Sequence, residues 1–275
     1  MIRHDSTVRS MKITSRKNPA VTAFRELNRD RKKRREERLF NIEGVKLCLE
    51  AVRSGIKPVH AFVSESAAEK YPEAYAELCE KTEPVMIDDD ISSYISDTKS
   101  PQGMFITAEM LDSRAKMSKI EKGRFLLLDS LQDTGNIGTI IRTCDALGMS
   151  GLILSPECAD IYSPKVVRGA MGSLFRLPFT IAPLTGIIGD MRADGYEIYA
   201  AVPDKNAESI DSVRFGEKFA FIIGNEGNGI SGPVIQAAGK SIYIPIENAE
   251  SLNAAIAAAI FCNEARRQLA QTHKN

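Results

Sequence analysis

The chain has 275 residues, 43% hydrophobic and 26% charged, which is a globular composition with length for one large or two modest domains. No stretch reaches the ~18–20 continuous apolar residues of a membrane span, the basic N-terminus lacks the apolar core of a secretory signal, and five scattered cysteines with three histidines argue against a disulfide framework, a zinc site or a Ser–His–Asp hydrolase. The formal net charge is zero, yet residues 1–40 hold 13 Lys/Arg against 5 Asp/Glu, so a basic head precedes an acidic body and points to a polyanionic partner.

Taken in chain order, RELNRDRKKRREERLF (25–40) reads as one helix. Val21, Phe24 and Leu27 form its thin apolar edge and a strongly cationic face points outward. A plain solvated face is the alternative, with Glu26, Asp30, Glu36 and Glu37 in i,i+4 pairs; the concentration of the excess favours contact with nucleic-acid phosphates. A strand at 39–44, a helix at 45–55, a strand at 59–65, a helix at 71–81 and strands at 84–88 and 103–110 then make a small α/β unit. Residues 111–123 lose apolar content and read as a linker. The second half begins with the apolar strand 125–131. A helix at 136–148 follows, with Ile137, Ile140, Ile141, Cys144 and Leu147 at helical spacing, then a strand at 151–155 and a helix from Pro164 to about Phe175. Strands at 196–202, 219–223 and 241–246, a short helix at 233–239 and an alanine-rich helix from about Ser251 to Ala270 complete it. This alternation predicts an α/β fold with a mainly parallel sheet covered on both faces.

Ligands of open parallel sheets bind beyond the carboxyl ends of the strands, and three strand ends here carry unusual polar chemistry. In DSLQDTGNIGTIIRT (129–143), Gly135 and Gly138 permit a tight turn into a helix that Asn136 can cap. Arg142 follows among apolar neighbours, either as a snorkelling surface residue or as a functional cation. FAFIIGNEGNGIS (219–231) and the next residue contain a literal GxGxxG at Gly227, Gly229 and Gly232, with Glu247 further on. That dinucleotide fingerprint reads as coincidence. The glycine loop starts earlier, at Gly224; Glu226 would repel a pyrophosphate; and the following helix is too short for a crossover. In IPIENAESLNAAIAAAI (244–260), Ser251 or Asn253 can cap the alanine-rich helix. Three such loops together make a binding site a better reading than three separate caps.

These segments resemble the signature of the SpoU (TrmH-like) family of RNA ribose 2′-O-methyltransferases, within the SPOUT class. The matching positions are Asn136-Ile137-Gly138 with Arg142, Ile223 to Gly227 with Gly229, and Ile244-Pro245 with Glu250-Ser251-Leu252-Asn253. VVRGAMGSLFRLPF (166–179) is also similar, and ITSRKNPAV and LFNIEGVKLC resemble the L30e-like substrate-binding domain of many members. The third loop departs from the pattern: it reads IENAESLN, without the expected glycine and one residue shorter. The resemblance implies a flexible N-terminus at 1–11, an RNA-binding domain at 12–110, the linker at 111–123, and a methyltransferase domain at 124–272 with a deep trefoil knot. It further implies S-adenosyl-L-methionine as cofactor, held by Gly224, Ile244 and Leu252, and no metal. Asn136, Arg142, Glu226, Ser251 and Asn253 would surround the ribose. A homodimer acting in the cytoplasm on ribosomal RNA is expected, with transfer RNA or a non-catalytic RNA-binding role as alternatives, and no membrane partner. The family role of Arg142 is to take the hydroxyl proton. A guanidinium with a pKa above ~12 is a poor base, so Arg142 can instead stabilise an alkoxide or hold the neighbouring phosphate. Glu226 can orient Arg142 or, with a raised pKa, accept the proton itself.

Overall fold

Asn18 starts the first helix: its side-chain oxygen accepts from Ala20 N at 2.9 Å, and Pro19 occupies the first turn of α1 (Pro19–Arg29). Val21, Phe24 and Leu27 are its buried face, as the spacing predicts. The computed structural model describes residues 12–111 and 123–272 and divides after Met110 into two units, with Tyr162–Pro164 grouped with the first. The N-terminal stretch 1–11 and all but the two ends of the predicted linker lie outside the described residues.

The single helix expected over 25–40 is two helices. Asp30 adopts an extended backbone and its carboxylate accepts from Lys32 N at 2.7 Å and Lys33 N at 3.3 Å, ending α1 and starting α2 (Arg31–Glu37). Nor is the cationic run wholly outward. Arg34 is 4% exposed and its guanidinium donates to Leu27 O and Asn28 O, carbonyls that α1 leaves open at its C-terminal end. Lys33 pairs with Glu37 at 2.8 Å in the i,i+4 manner of a solvated face.

Behind these helices lies a four-stranded sheet of β1 (Leu39–Glu43), β2 (Pro58–Ser64), β3 (Val85–Ile87) and β4 (Met104–Glu109) in the order β1-β4-β2-β3. β4 is antiparallel to β1 and β2, and β3 is parallel to β2. The remaining helices of this unit are α3 (Val45–Arg53), α4 (Glu65–Lys70), α5 (Pro72–Cys79) and α6 (Asp89–Ile95). Phe24 meets Phe62 and Phe105 edge to face at 5.9 and 5.6 Å, and Ile87, Ile91 and Ile95 close that core.

The second unit is built on seven parallel strands: β5 (Arg124–Leu128), β6 (Gly151–Leu154), β7 (Phe179–Ile181), β8 (Glu197–Ala201), β9 (Glu208–Ser209), β10 (Phe219–Ile223) and β11 (Gly239–Tyr243). Their order is β7-β6-β5-β10-β8-β11-β9. Alternate residues serve opposite faces. Phe125, Leu127, Ala220 and Ile222 pack beneath α9 (Leu184–Ala193) and α10 (Gly232–Ala238). On the other side α11 (Ala254–Thr272) packs on α7 (Thr134–Ala146) and β10, with the Phe221 and Phe261 rings 5.1 Å apart.

Two expectations for this unit need correction, and three elements go beyond them. The helix predicted from Pro164 to Phe175 stops at Gly169 as α8 (Pro164–Gly169); Met171 at φ 49° and Gly172 at φ 88° then turn the chain into a short 3-10 segment. β11 begins and ends earlier than 241–246. α9 and the edge strands β7 and β9 were not anticipated. The sheet leaves β5 in two directions, through β6 to β7 on one side and to β10 and β8 on the other, and a cleft lies at the carboxyl ends of β10, β8 and β11.

Candidate functional site

β5 runs directly into Asp129, buried at 4% exposure, and Ser130, which takes a left-handed φ of 58°. Asp129 Oδ2 accepts from Ser231 N at 2.8 Å, and Ser130 N donates to Ser155 Oγ at 3.0 Å. Asp133, not Asn136, caps α7: its Oδ1 accepts from Asn136 N at 2.8 Å. The Asn136 side chain is thereby released from capping and faces the other two strand-end loops.

The second loop is a closed ring. Asn225 N donates to Gly229 O at 2.9 Å, and Gly229 N returns a bond to Asn225 O at 3.0 Å. The Asn225 side chain accepts from Gly227 N and Asn228 N and donates to Ser130 O at 2.8 Å, tying the ring to the loop after β5. Gly224 is sterically obligatory: a Cβ there would lie 2.2 Å from the carbonyl carbon of Gly229 and 2.4 Å from Ile230 N. By contrast a Cβ at Gly232, last glycine of the formal GxGxxG, would meet open space, so that glycine is not packed as a dinucleotide loop needs.

Glu226 leaves this ring toward α7. Its Oε1 accepts from Asn136 Nδ2 at 3.0 Å and Asp133 N at 3.1 Å, and its Oε2 from Gln132 N at 3.3 Å. Partial burial pushes the carboxyl up, but the hydrogen bonds from Asn136 and from backbone N–H groups outweigh it, and the net shift is below the usual carboxylate value. The raised pKa that a proton-accepting Glu226 requires is therefore not what this site produces.

At the third strand end Asn253 caps α11, its Oδ1 accepting from Ala255 N at 2.9 Å and Ile256 N at 3.3 Å. Its Nδ2 donates to Asn136 Oδ1 at 3.0 Å. A continuous chain Asn253–Asn136–Glu226 thus joins all three loops. It stands between two hollows. One is a cleft of about 390 Å³ whose walls include Gly224, Ile244, Ile246, Ser251, Leu252 and Phe261. The other is a polar depression formed by Gln132, Asp133, Asn136, Glu226 and Asn253, and Glu226 and Asn253 border both.

Of the eight residues singled out, Gly224, Ile244, Leu252 and Ser251 line the cleft and Asn136, Glu226 and Asn253 form the dividing chain. Arg142 stands apart. It is exposed, lies six residues along α7 from Asn136 and about 120° around the helix, and has no hydrogen-bond or ion-pair partner among the described residues. It makes no hydrogen bond or ion pair with Glu226 among the described residues, so the expected orienting contact is absent from the described interactions. The sequence segments singled out contain Asp129, Ser130, Asp133 and Asn225 but assign them no role, and these residues hold the loops together. The signal available was the run of polar residues following each apolar strand. Among the described residues no group of His, Cys, Asp and Glu can hold a metal ion, and no helix is long and apolar enough to cross a membrane.

A half-apolar cleft at the carboxyl ends of the parallel strands β8, β10 and β11, with Gly224 in its wall, defines an α/β protein with a site for a small organic ligand. The SpoU rRNA Methylase family model matches residues 123–263, and the MRM3-like substrate binding domain matches residues 18–106. The chain is 31% identical to the 23S rRNA (guanosine(2553)-2′-O)-methyltransferase of Bacillus subtilis, over 90% of this chain and 96% of the relative. It is 32% identical to the 23S rRNA (uridine(2479)-2′-O)-methyltransferase of Streptomyces viridochromogenes, over 97% and 95%. The AdoMet-bound rRNA methyltransferase of Sinorhizobium meliloti superposes with a TM-score of 0.83 at 31% identity, over 94% of this chain and 98% of that one. The chain belongs to the SpoU rRNA methylase family.

Proposed function

We propose that the protein methylates a ribose 2′-OH of ribosomal RNA with S-adenosyl-L-methionine. The relatives named for 23S rRNA match nearly the whole chain, which favours ribosomal over transfer RNA; one modifies a guanosine and the other a uridine, so base identity does not carry over. The observation that carries the reading is the Asn253–Asn136–Glu226 chain set between an apolar-walled cleft and a polar depression.

The cleft fits the cofactor. Gly224 in its wall offers a ligand only backbone, and its missing Cβ lets the Gly229–Ile230 turn close behind it, while Ile244 and Leu252 supply apolar walls. When bound, the cofactor supplies an electrophilic methyl group on a sulfonium. Gly224, Ile244 and Leu252 hold it, and the short third loop keeps Leu252 in the cleft wall despite its departure from the family pattern.

Asn136, Asn253 and Ser251 offer the donors and acceptors that orient the hydroxyl. Glu226 acts as an ionised anchor, fixing which way the Asn136 amide points; its low pKa suits that role and not proton removal. Arg142, without a hydrogen-bond or ion-pair partner among the described residues, meets the phosphate beside the target ribose and offsets the charge that develops as the hydroxyl proton is lost toward that phosphate.

In the same reading residues 12–110 bind RNA, 111–123 link, and 124–272 carry the chemistry in the cytoplasm. The placement of β10 between the earlier strands β5 and β8 supports a chain threaded as a trefoil knot. Ile256, 52% exposed on the alanine-rich α11, supports a homodimer packed through that helix. The test uses ribosomal RNA, labelled cofactor and alkali, which cleaves only where a free 2′-OH can attack the adjacent phosphate. Label in an alkali-resistant dinucleotide is expected. Label released wholly as mononucleotide means base methylation and overturns the reading.

A further inference from the structure

The first unit holds a cavity of its own, of about 300 Å³, beyond the carboxyl ends of the parallel pair β2 and β3. That volume falls at the lower edge of the ~300–1,000 Å³ typical of small-ligand sites. Its lining is rich in hydroxyls and poor in apolar side chains, and includes Ser64, Ser66, Ser92, Lys70 and Tyr71. Gly103, beside it, admits no side chain: a Cβ would lie 2.3 Å from Ser64 Oγ.

Ser92 is the telling residue. It is 3% exposed, it borders the cavity, and its hydroxyl has no hydrogen-bond partner among the described residues. Ser64 and Ser66 are by contrast engaged, Ser64 Oγ accepting from Ala67 N and facing Ser66 Oγ at 3.2 Å. The Ser92 Oγ is not among the fully enclosed polar atoms that lack a partner, so it opens on the cavity, where the polar edge of a ligand can replace water and take up its hydrogen bond. Lys70 is exposed, has no acidic partner among the described residues, and stands 5.4 Å from the centre of the Tyr71 ring.

The chemistry selects the occupant. A free phosphate would face the Asp89 carboxylate, which lines the cavity and accepts from Ser66 Oγ at 2.5 Å. An apolar peptide side chain would find few apolar partners. A nucleobase satisfies every element: a flat ring for Tyr71, a mixed donor and acceptor edge for the Ser92 hydroxyl, Lys70 and Asp89. We propose that this cavity receives one unstacked nucleotide of the RNA substrate and reads its base edge. The inference rests on the RNA-methylating reading above and adds a recognition site remote in sequence from the catalytic loops.

The test combines cross-linking with two variants of the full-length protein. A 23S rRNA transcript substituted with 4-thiouridine, irradiated with the protein, should cross-link to peptides spanning 64–71 or 89–102. Ser92→Ala should leave the melting temperature within about a degree of the parent, because the hydroxyl bonds to no described residue, yet raise the KM for RNA about tenfold with kcat and cofactor affinity unchanged. Lys70→Ala, a change at an exposed side chain, should raise KM likewise. Ribose methylation that persists with unchanged KM in both variants, and cross-links confined to other peptides, overturns the pocket and leaves the enzymatic reading standing. Absence of ribose methylation in the unaltered protein overturns the enzymatic reading; cross-links at the cavity would in that case still support nucleotide binding there.

Discussion

Asn253 donates its side-chain Nδ2 to Asn136 Oδ1 at 3.0 Å across 117 residues of chain, while its own Oδ1 caps α11. One side chain therefore carries two separable duties. Asn253→Asp keeps a good cap, and a negative charge suits a helix N-terminus, but a carboxylate cannot donate to Asn136. Its melting temperature should stay within a degree or two of the parent while methyl transfer falls at least tenfold. Asn253→Ala should lose the same activity and, in addition, about 1 kcal/mol of stability. Full methyl transfer by Asn253→Asp, beside a stability loss in Asn253→Ala alone read by urea unfolding, would assign the residue to capping alone.

Gly224→Ala tests the cleft wall. The added methyl must displace the Gly229–Ile230 backbone, which the Asn225 ring holds in place, so the strain cannot be relieved by turning a side chain. A loss of about 1–3 kcal/mol is expected from such overpacking. Calorimetry should show cofactor affinity reduced more than tenfold even well below the melting temperature. Unchanged affinity would move the cofactor away from β10.

Glu226 has a carboxyl held below its unfolded value, so its contribution to stability is present above the ordinary carboxylate pKa of about 4.3 and is lost as pH falls through the depressed folded value. Glu226→Gln removes the charge at every pH. The parent should be the more stable at pH 7, and the difference between the two urea midpoints should close on acidification below pH ~4. A difference that persists undiminished in acid would show that shape, not charge, holds Asn136.

What could be read from the chain, and what could not, follows the range of the interactions involved. FLLLDSL and FAFII declare buried parallel strands because their apolar runs end in polar loops, and the three loops could be grouped because each follows such a strand. The break at Asp30 was invisible. Nothing in RELNRDRKKRREE resembles a helix stop, and the break is fixed by Asp30 capping forward and by Arg34 reaching back to Leu27 O. α9 was hidden by Gly186 and Gly189 within LTGIIGDMRA, which weaken a helical reading until Leu184 and Ile188 are seen buried on the sheet. At the site, residue types pointed to Asn136, Glu226 and Asn253, but not to which asparagine caps which helix. The direction of the Glu226 shift depends on donors at 132, 133 and 136, more than 85 positions away in sequence.

The basic run can be divided by experiment, since its cations differ in burial. Arg35 is exposed and without a partner among the described residues, whereas Arg34 is buried against α1. Arg35→Ala should weaken RNA binding uniformly and lower the log–log salt slope by about 0.7 if it meets one single-strand phosphate. Arg34→Ala should leave the slope unchanged and cost about 1.5–3 kcal/mol, the scale of a hydrogen bond from a charged group. An unchanged slope in Arg35→Ala would mark this part of the helix as a solvated face.

Arg142 gives the sharpest division between folding and chemistry. Its neighbours on α7, Ile140, Ile141 and Cys144, are buried, but its own side chain is exposed and bonds to nothing described, so truncation removes no packing and breaks no ion pair. Arg142→Ala should melt within about a degree of the parent and bind cofactor normally, since Arg142 does not line the cleft. If its guanidinium meets the phosphate beside the reacting hydroxyl, kcat should fall by about 10²–10³, the scale seen when one oxyanion donor is removed. Arg142→Lys keeps the charge but loses the planar, two-pronged contact with phosphate, and should recover part of that loss. The pH profile separates the proton's fate. With Arg142 as electrostatic partner, residual activity in Arg142→Ala should keep the parent's pH dependence at a lower level. Were Arg142 itself the base, the alkaline limb of the profile would change with the substitution. Turnover near that of the parent would remove Arg142 from the reaction altogether and leave the 2′-OH to Asn136, Ser251 and Asn253.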